Sequence, residues 1–203
     1  MNVTRGLLDG MDTNGLNTAL AEATCLGLEV DEPGRRLRLD LEVLTLQEDG
    51  STREHNRVRL TFAGVSRVAA SLRIQKWDDV DPRVLPLTLD GLADAIHSFG
   101  GGRLHGWEFI DIDDSGWAIW GELLSFDTLI DQHVSAHVLE FSQEEGIDPR
   151  ELDVRVWFDN IIIEDANGRE IPLQDFVAGG VRWWQAHDSG DPRMLQPGIP
   201  PSL

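Results

Sequence analysis

In several separate stretches of this chain apolar residues fall at every second position, and that period restricts it to a fold built largely on half-buried β-strands. Leu37, Leu39, Leu41 and Val43 alternate with Arg38, Asp40 and Glu42; Val58, Leu60 and Phe62 repeat the pattern, as do Leu152, Val154, Val156 and Phe158. Thr24, Leu26, Leu28 and Val30 share one face of an earlier run, and the turn Asp31-Glu32-Pro33-Gly34 joins it to the next as a hairpin. With a fourth strand over Val65 to Ile74, the first 75 residues read as an antiparallel meander with one apolar face. Leu104 to Ile112 and Trp117 to Leu124 flank a second turn at Asp113 to Gly116, and Ile161 to Glu164 runs into a third at Asn167 and Gly168.

Two stretches have the helical period. Leu89, Leu92, Ile96 and Phe99 form one stripe that Gly100, Gly101 and Gly102 terminate. A C-terminal helix opens at Pro172 and is expected to bury Leu173, Phe176, Val177, Gly180, Val181 and Trp184. The expected class is α+β, mostly antiparallel β-sheet of about eight or nine strands, with helices near 89–99 and 172–186 packed on the sheet. A single β-rich domain is expected over 16–187, with a lobe boundary near 76–86, a flexible N-terminus over 1–15 and a disordered Pro-rich tail over 188–203.

Composition narrows the function classes. The 203 residues carry 36 acids against 17 bases, a formal charge of −19, which argues against nucleic acid because phosphate binding needs a basic footprint. Arg35, Arg36 and Arg38, the densest basic cluster, read as the solvated end of a hairpin. Cys25 is the only cysteine, which removes internal disulfides and thiolate zinc clusters. No apolar run approaches the roughly 20 residues that cross a bilayer, and no secretory segment is read at the N-terminus, so no membrane partner and a cytoplasmic location are expected.

Three constellations bear on chemistry. Asp111, Asp113, Ser115, Gly116 and Glu122 take positions 1, 3, 5, 6 and 12 of a loop that resembles the EF-hand calcium loop, which implies Asp111, Asp113, Ser115 and Glu122 as Ca²⁺ ligands. Ile119 at position 9 and the strand-like alternation before Asp111 depart from that family. On a helix His133, His137 and Glu140 would project from one side and could share a metal; on a strand, which the Val and Phe content of the segment favours, the two histidines stand about 13 Å apart and cannot. Glu108, Asp111, Glu122 and Asp159 lie near Trp107, Trp117, Trp120 and Trp157, where a carboxylate-based hydrolase of a glycan-like substrate would be sought.

No serine stands in a GxSxG elbow, so the reading leans away from an enzyme. The leading expectation is a non-catalytic module that binds a basic protein, as inhibitors and immunity-type proteins do, through an acidic surface with exposed aromatics. Trp107, Trp117, Trp120 and Trp183 are its candidate contact residues; of the adjacent pair Trp183 and Trp184, Trp183 is expected to face solvent. Residues 1–100 hold 11 bases and 16 acids, and residues 101–203 hold 6 and 20, which points to the stretch from Trp107 to Asp165.

Overall fold

A computed structural model describes residues 13–51, 56–99, 103–110, 121–145 and 150–194. These form three α-helices and ten strands, with every strand pairing antiparallel, so the α+β class holds. One sheet has the order β1 (Thr24–Asp31), β2 (Arg36–Glu42), β3 (Arg57–Ala63), β10 (Asn160–Asp165). The other has the order β5 (Arg83–Val84), β4 (Arg67–Ile74), β9 (Arg150–Phe158), β8 (His137–Glu144), β6 (His105–Ile110), and β7 (Phe126–Leu129) also pairs with β4. No helix among the described residues is long and apolar enough to cross a membrane.

The β1–β2 hairpin forms where its turn residues place it. Asp31 Oδ1 accepts the Gly34 N–H at 2.9 Å, and the Arg35 N–H donates to the Glu32 carbonyl at 3.0 Å. A bulge between Cys25 and Gly27 shifts the alternation of β1, burying Cys25 and turning Leu26 outward, so the expected single face of Thr24, Leu26, Leu28 and Val30 is not kept.

The meander ends at β3. Instead of adding to that sheet, β4 enters the second one, because β3 and β4 on one side and β10 and β9 on the other make a single two-stranded ribbon that bends between the sheets. Ala63 pairs with Asn160 before the bend and Arg67 with Trp157 after it. Gly64 sits at the bend with φ +67°, a left-handed conformation that L side chains rarely adopt. Period-two patterning does not report such a bend, since both halves alternate correctly.

One contiguous hydrophobic cluster lies inside the bend. It draws Leu37, Leu39 and Leu60 from the first sheet and Val68, Leu139, Val154 and Val156 from the second, and Phe62 meets Phe158 edge-on across it at 4.9 Å. Helix α1 (Thr13–Leu20) adds Leu16, Ala19 and Leu20; it starts ahead of the expected domain edge and has no apolar repeat long enough to announce it. A 3₁₀ turn at Leu89–Gly91 leads into α2 (Leu92–His97), which buries Leu92 and Ile96 as its stripe predicts.

The C-terminal helix, α3 (Leu173–Asp188), buries Phe176, Gly179, Gly180, Trp183 and His187. This stripe is rotated from the expected one, and the two glycines decide it. A Cβ on Gly180 would stand 2.5 Å from Ala19 of α1, and one on Gly179 would stand 2.4 Å from the Thr45 hydroxyl, so the absence of side chains on this face is what lets it approach the body so closely. Trp183 then packs with Leu44, Leu46 and Met194, and the chain stays attached through Met194, which a 3₁₀ turn at Pro192–Met194 delivers.

On its outer face the first sheet carries a ladder of opposite charges. Arg38 pairs with Glu29 at 3.1 Å and Arg59 with Asp40 at 2.8 Å, while Arg36 stands opposite Asp31 and Arg57 opposite Glu42. Of the three arginines that looked like a basic cluster, Arg36 and Arg38 therefore face carboxylates across strands, while Arg35 lies in the turn.

Candidate functional site

Asp111, Asp113, Ser115, Trp117 and Trp120 lie outside the described residues, and Glu122 is exposed ahead of β7. Residues 121–124 form no strand, contrary to expectation; the strand begins at Phe126. Trp107 is buried on β6 against Phe141, ring centres 5.2 Å apart. Trp183 is 3% exposed and Trp184 only half-buried, which reverses the expected assignment of that pair. Trp107 and Trp183 thus serve the core, where large aromatics contribute most burial.

His133 and His137 fall on no helix. Residues 131–136 have no regular structure and His137 opens β8, with its ring against Phe158 at 5.6 Å. Among the described residues no group of three or more His, Cys, Asp or Glu is arranged to hold a metal. The helix on which His133, His137 and Glu140 could share a metal is not formed, and the strand favoured for this segment begins at His137.

His133 belongs to a different cluster, assembled at the bend from residues far apart in sequence. Its Nδ1 lies 3.1 Å from Asp131 Oδ1 and its Nε2 lies 2.9 Å from Asp159 Oδ2. One Arg35 guanidinium nitrogen is 2.7 and 2.9 Å from the two ring nitrogens, which places it over the ring face and not in its plane. Arg35 also pairs with Asp131 at 3.3 Å. Ser135 Oγ stands 3.4 Å from His133 Nε2, 2.6 Å from Ser66 Oγ and 3.1 Å from the Gly64 carbonyl.

Serine, histidine and aspartate in that order suggest a nucleophile with its base, but the details make a clasp. Ser135 is 1% exposed, and His133 Nε2 lies closer to Asp159 than to the serine. The nearby amides are also engaged: Ile130 and Asp131 N–H donate to the Ser66 carbonyl at 2.8 and 3.0 Å, and Ala136 N–H donates to Asp159 Oδ1 at 3.1 Å. The cluster ties the 130–136 loop and the β1–β2 turn to the bend. The backbone N–H and ring of His133 hold the Asp131 carboxyl below the usual carboxylate range. Sequence reasoning singled out His133 but gave it the wrong partners, because Arg35, Ser66 and Asp159 are up to 98 positions away.

The second sheet bears a buried polar layer. Arg73 bonds Asp153 at 2.6 Å and Glu151 at 2.7 Å, and Arg155 bonds Glu140 at 2.5 Å. Burial pushes the Asp153 carboxyl up to about 6; the Arg73 charge opposes this, while Glu151 and Glu140 add to it.

Beside that layer stands the most exposed apolar feature among the described residues. Trp77 is 96% exposed and Val80 91%. They stand on a turn in which Asp79 N–H donates to the Lys76 carbonyl at 3.0 Å and Lys76 N–H donates to Asp79 Oδ2 at 2.9 Å, so Trp77 is held at the tip. Asp78, Asp79 and Asp81 neighbour the two apolar residues in sequence. A pocket of about 380 Å³ next to the turn is lined by Arg73, Lys76, Trp77, Glu144, Arg150 and Glu151, among others. The sequence had marked this segment only as a connection.

No protein-family model, curated protein or solved structure matches this chain. Its fold and surface define an antiparallel α+β domain with a hydrogen-bonded, acidic turn that exposes one tryptophan.

Proposed function

We propose that this chain is a protein-interaction module of the inhibitor or immunity kind, docking a basic partner through the Lys76–Asp81 turn. The observation that carries this is the near-complete exposure of Trp77, with Val80 beside it, on a closed turn. An exposed indole forgoes the burial that such a side chain gains elsewhere, and tryptophan is among the residues that most often dominate an interface. A turn already closed by hydrogen bonds loses little conformational freedom on docking.

Charge selects the partner. Around the turn and its pocket stand Asp78, Asp79, Asp81, Glu144, Glu145 and Glu151 against Arg73, Lys76 and Arg150, an excess of three carboxylates. Arg73 and Arg150 are already paired with Glu151 and Glu145. Such a surface favours a cationic partner and speeds encounter with it at low salt.

The test is retention of proteins from extracts of the source cell by immobilised wild-type chain and by a Trp77→Ala/Val80→Ser variant, at low and high salt. A basic protein held by the wild type, lost with the variant and released as salt rises is the expected result. Equal retention by both chains would refute docking through this turn.

A further inference from the structure

Among the described residues the fold twice places an arginine between an aromatic face and a carboxylate. Arg67 lies 4.8 Å over the Trp157 ring while its Nε donates to Asp127 Oδ1 at 2.7 Å. Arg150 lies 4.5 Å over the Phe99 ring while its Nε donates to Glu145 Oε2 at 2.9 Å. In both, a flat guanidinium covers a ring with one side and meets a carboxylate with its edge, a combination an ammonium cannot copy.

Trp77 and Glu144 offer the same two elements in one pocket without an arginine of this chain between them. Glu144 is exposed and has no ion pair among the described residues. The two arginines that line the pocket are held elsewhere: Arg73 by Glu151 and Asp153, and Arg150 by Glu145 and the Phe99 ring. Lys76 is the remaining cation of the lining. We infer that this pocket receives an arginine side chain of the partner, its guanidinium stacked on Trp77 and paired with Glu144.

The inference rests on docking through the Lys76–Asp81 turn, and the experiment separates the two. The full chain is labelled with 5-fluorotryptophan, the Trp77 ¹⁹F signal is assigned from Trp77→Phe, and blocked Gly-Arg-Gly is titrated alongside its lysine and citrulline counterparts. The Trp77 signal is expected to move saturably with the arginine peptide, to bind the lysine peptide at least about fivefold more weakly, and to ignore citrulline. Glu144→Gln is expected to weaken the arginine peptide at least about threefold without moving the other tryptophan signals, and Lys76→Ala to tighten it. A stationary Trp77 signal at about 50 mM arginine peptide, or an equal response to lysine, overturns the inference. If a basic partner needs Trp77 but is indifferent to Glu144→Gln and to competing arginine peptide, the turn docks the partner and the arginine pocket is wrong. If the partner binds Trp77→Ala as well as wild type, the docking reading itself is wrong.

Discussion

Gly64→Ala probes the bend between the sheets, and its cost has two separable parts. At φ +67° an L side chain is expected to cost about 1–2 kcal/mol in backbone strain alone. The new Cβ would also stand 2.3 Å from Asp159 Oδ2, so the carboxylate must leave His133 and the Ala136 N–H, which it holds at 2.9 and 3.1 Å. Hydrogen bonds to charged groups contribute roughly 1.5–3 kcal/mol when buried. The Asp159 side chain is 41% exposed, and water recovers part of that, leaving about 1 kcal/mol for each of the two. Gly64→Ala is therefore expected to cost about 3–4 kcal/mol and Asp159→Ala about 2. Once the carboxylate is gone, adding Gly64→Ala costs the strain and the remaining contact with the residue-159 Cβ at 2.9 Å but no hydrogen bonds, so the double variant falls short of the sum by up to about 2 kcal/mol. Urea unfolding of the four chains, followed by tryptophan emission, measures this directly. Costs that add within about 0.5 kcal/mol would refute the claim that Gly64 is there to make room for the Asp159 clasp.

Other expectations follow from the same geometry. Gly180→Ala gains about 1 kcal/mol of helix propensity but drives its methyl into the backbone of Ala19, so a net loss of about 1–3 kcal/mol is expected in urea unfolding, and a stabilised variant would contradict the packing of α1 on α3. Gln143 is buried on β8 with neither amide atom hydrogen-bonded among the described residues; Gln143→Leu is expected to raise the unfolding free energy by about 1 kcal/mol or more, and a lower value would mean its amide is satisfied in solution. Because burial raises the Asp153 carboxyl from 3.8 to about 6, the folded state binds the proton more tightly than the unfolded one. Its contribution therefore opposes folding increasingly as pH rises from about 4 to 6, by about 2–3 kcal/mol in all, and Asp153→Asn is expected to remove that part of the slope in urea titrations across the window. An unchanged slope would refute it.

Much of the architecture was legible because it rests on local rules. The hairpin at Asp31 to Gly34, the alternation of β2, β3 and β9, and the stripe of Leu92 and Ile96 are dictated by neighbours within a few positions. What escaped is set by distant partners. The bend at Gly64 depends on Asp159, the orientation of α3 depends on Ala19 and Thr45, and the clasp around His133 depends on Arg35. Of the candidate contact residues, Trp107 and Trp183 are buried and Trp117 and Trp120 lie outside the described residues, while the exposed Trp77 stands in the half with the smaller charge excess. A lone tryptophan followed by aspartates and off any periodic run was the signal available, and periodicity alone gives such a residue no weight.

The most direct test of the account compares stability and binding in one variant, Trp77→Ala. A side chain 96% exposed holds no part of the core, so the unfolding free energy is expected to stay within about 0.5 kcal/mol of wild type. Affinity for the captured basic partner, measured calorimetrically, is expected to fall at least about 30-fold, the loss of an interface residue worth 2 kcal/mol. Unchanged affinity, or a loss of affinity matched by loss of the fold, would contradict the assignment of this turn as the docking element.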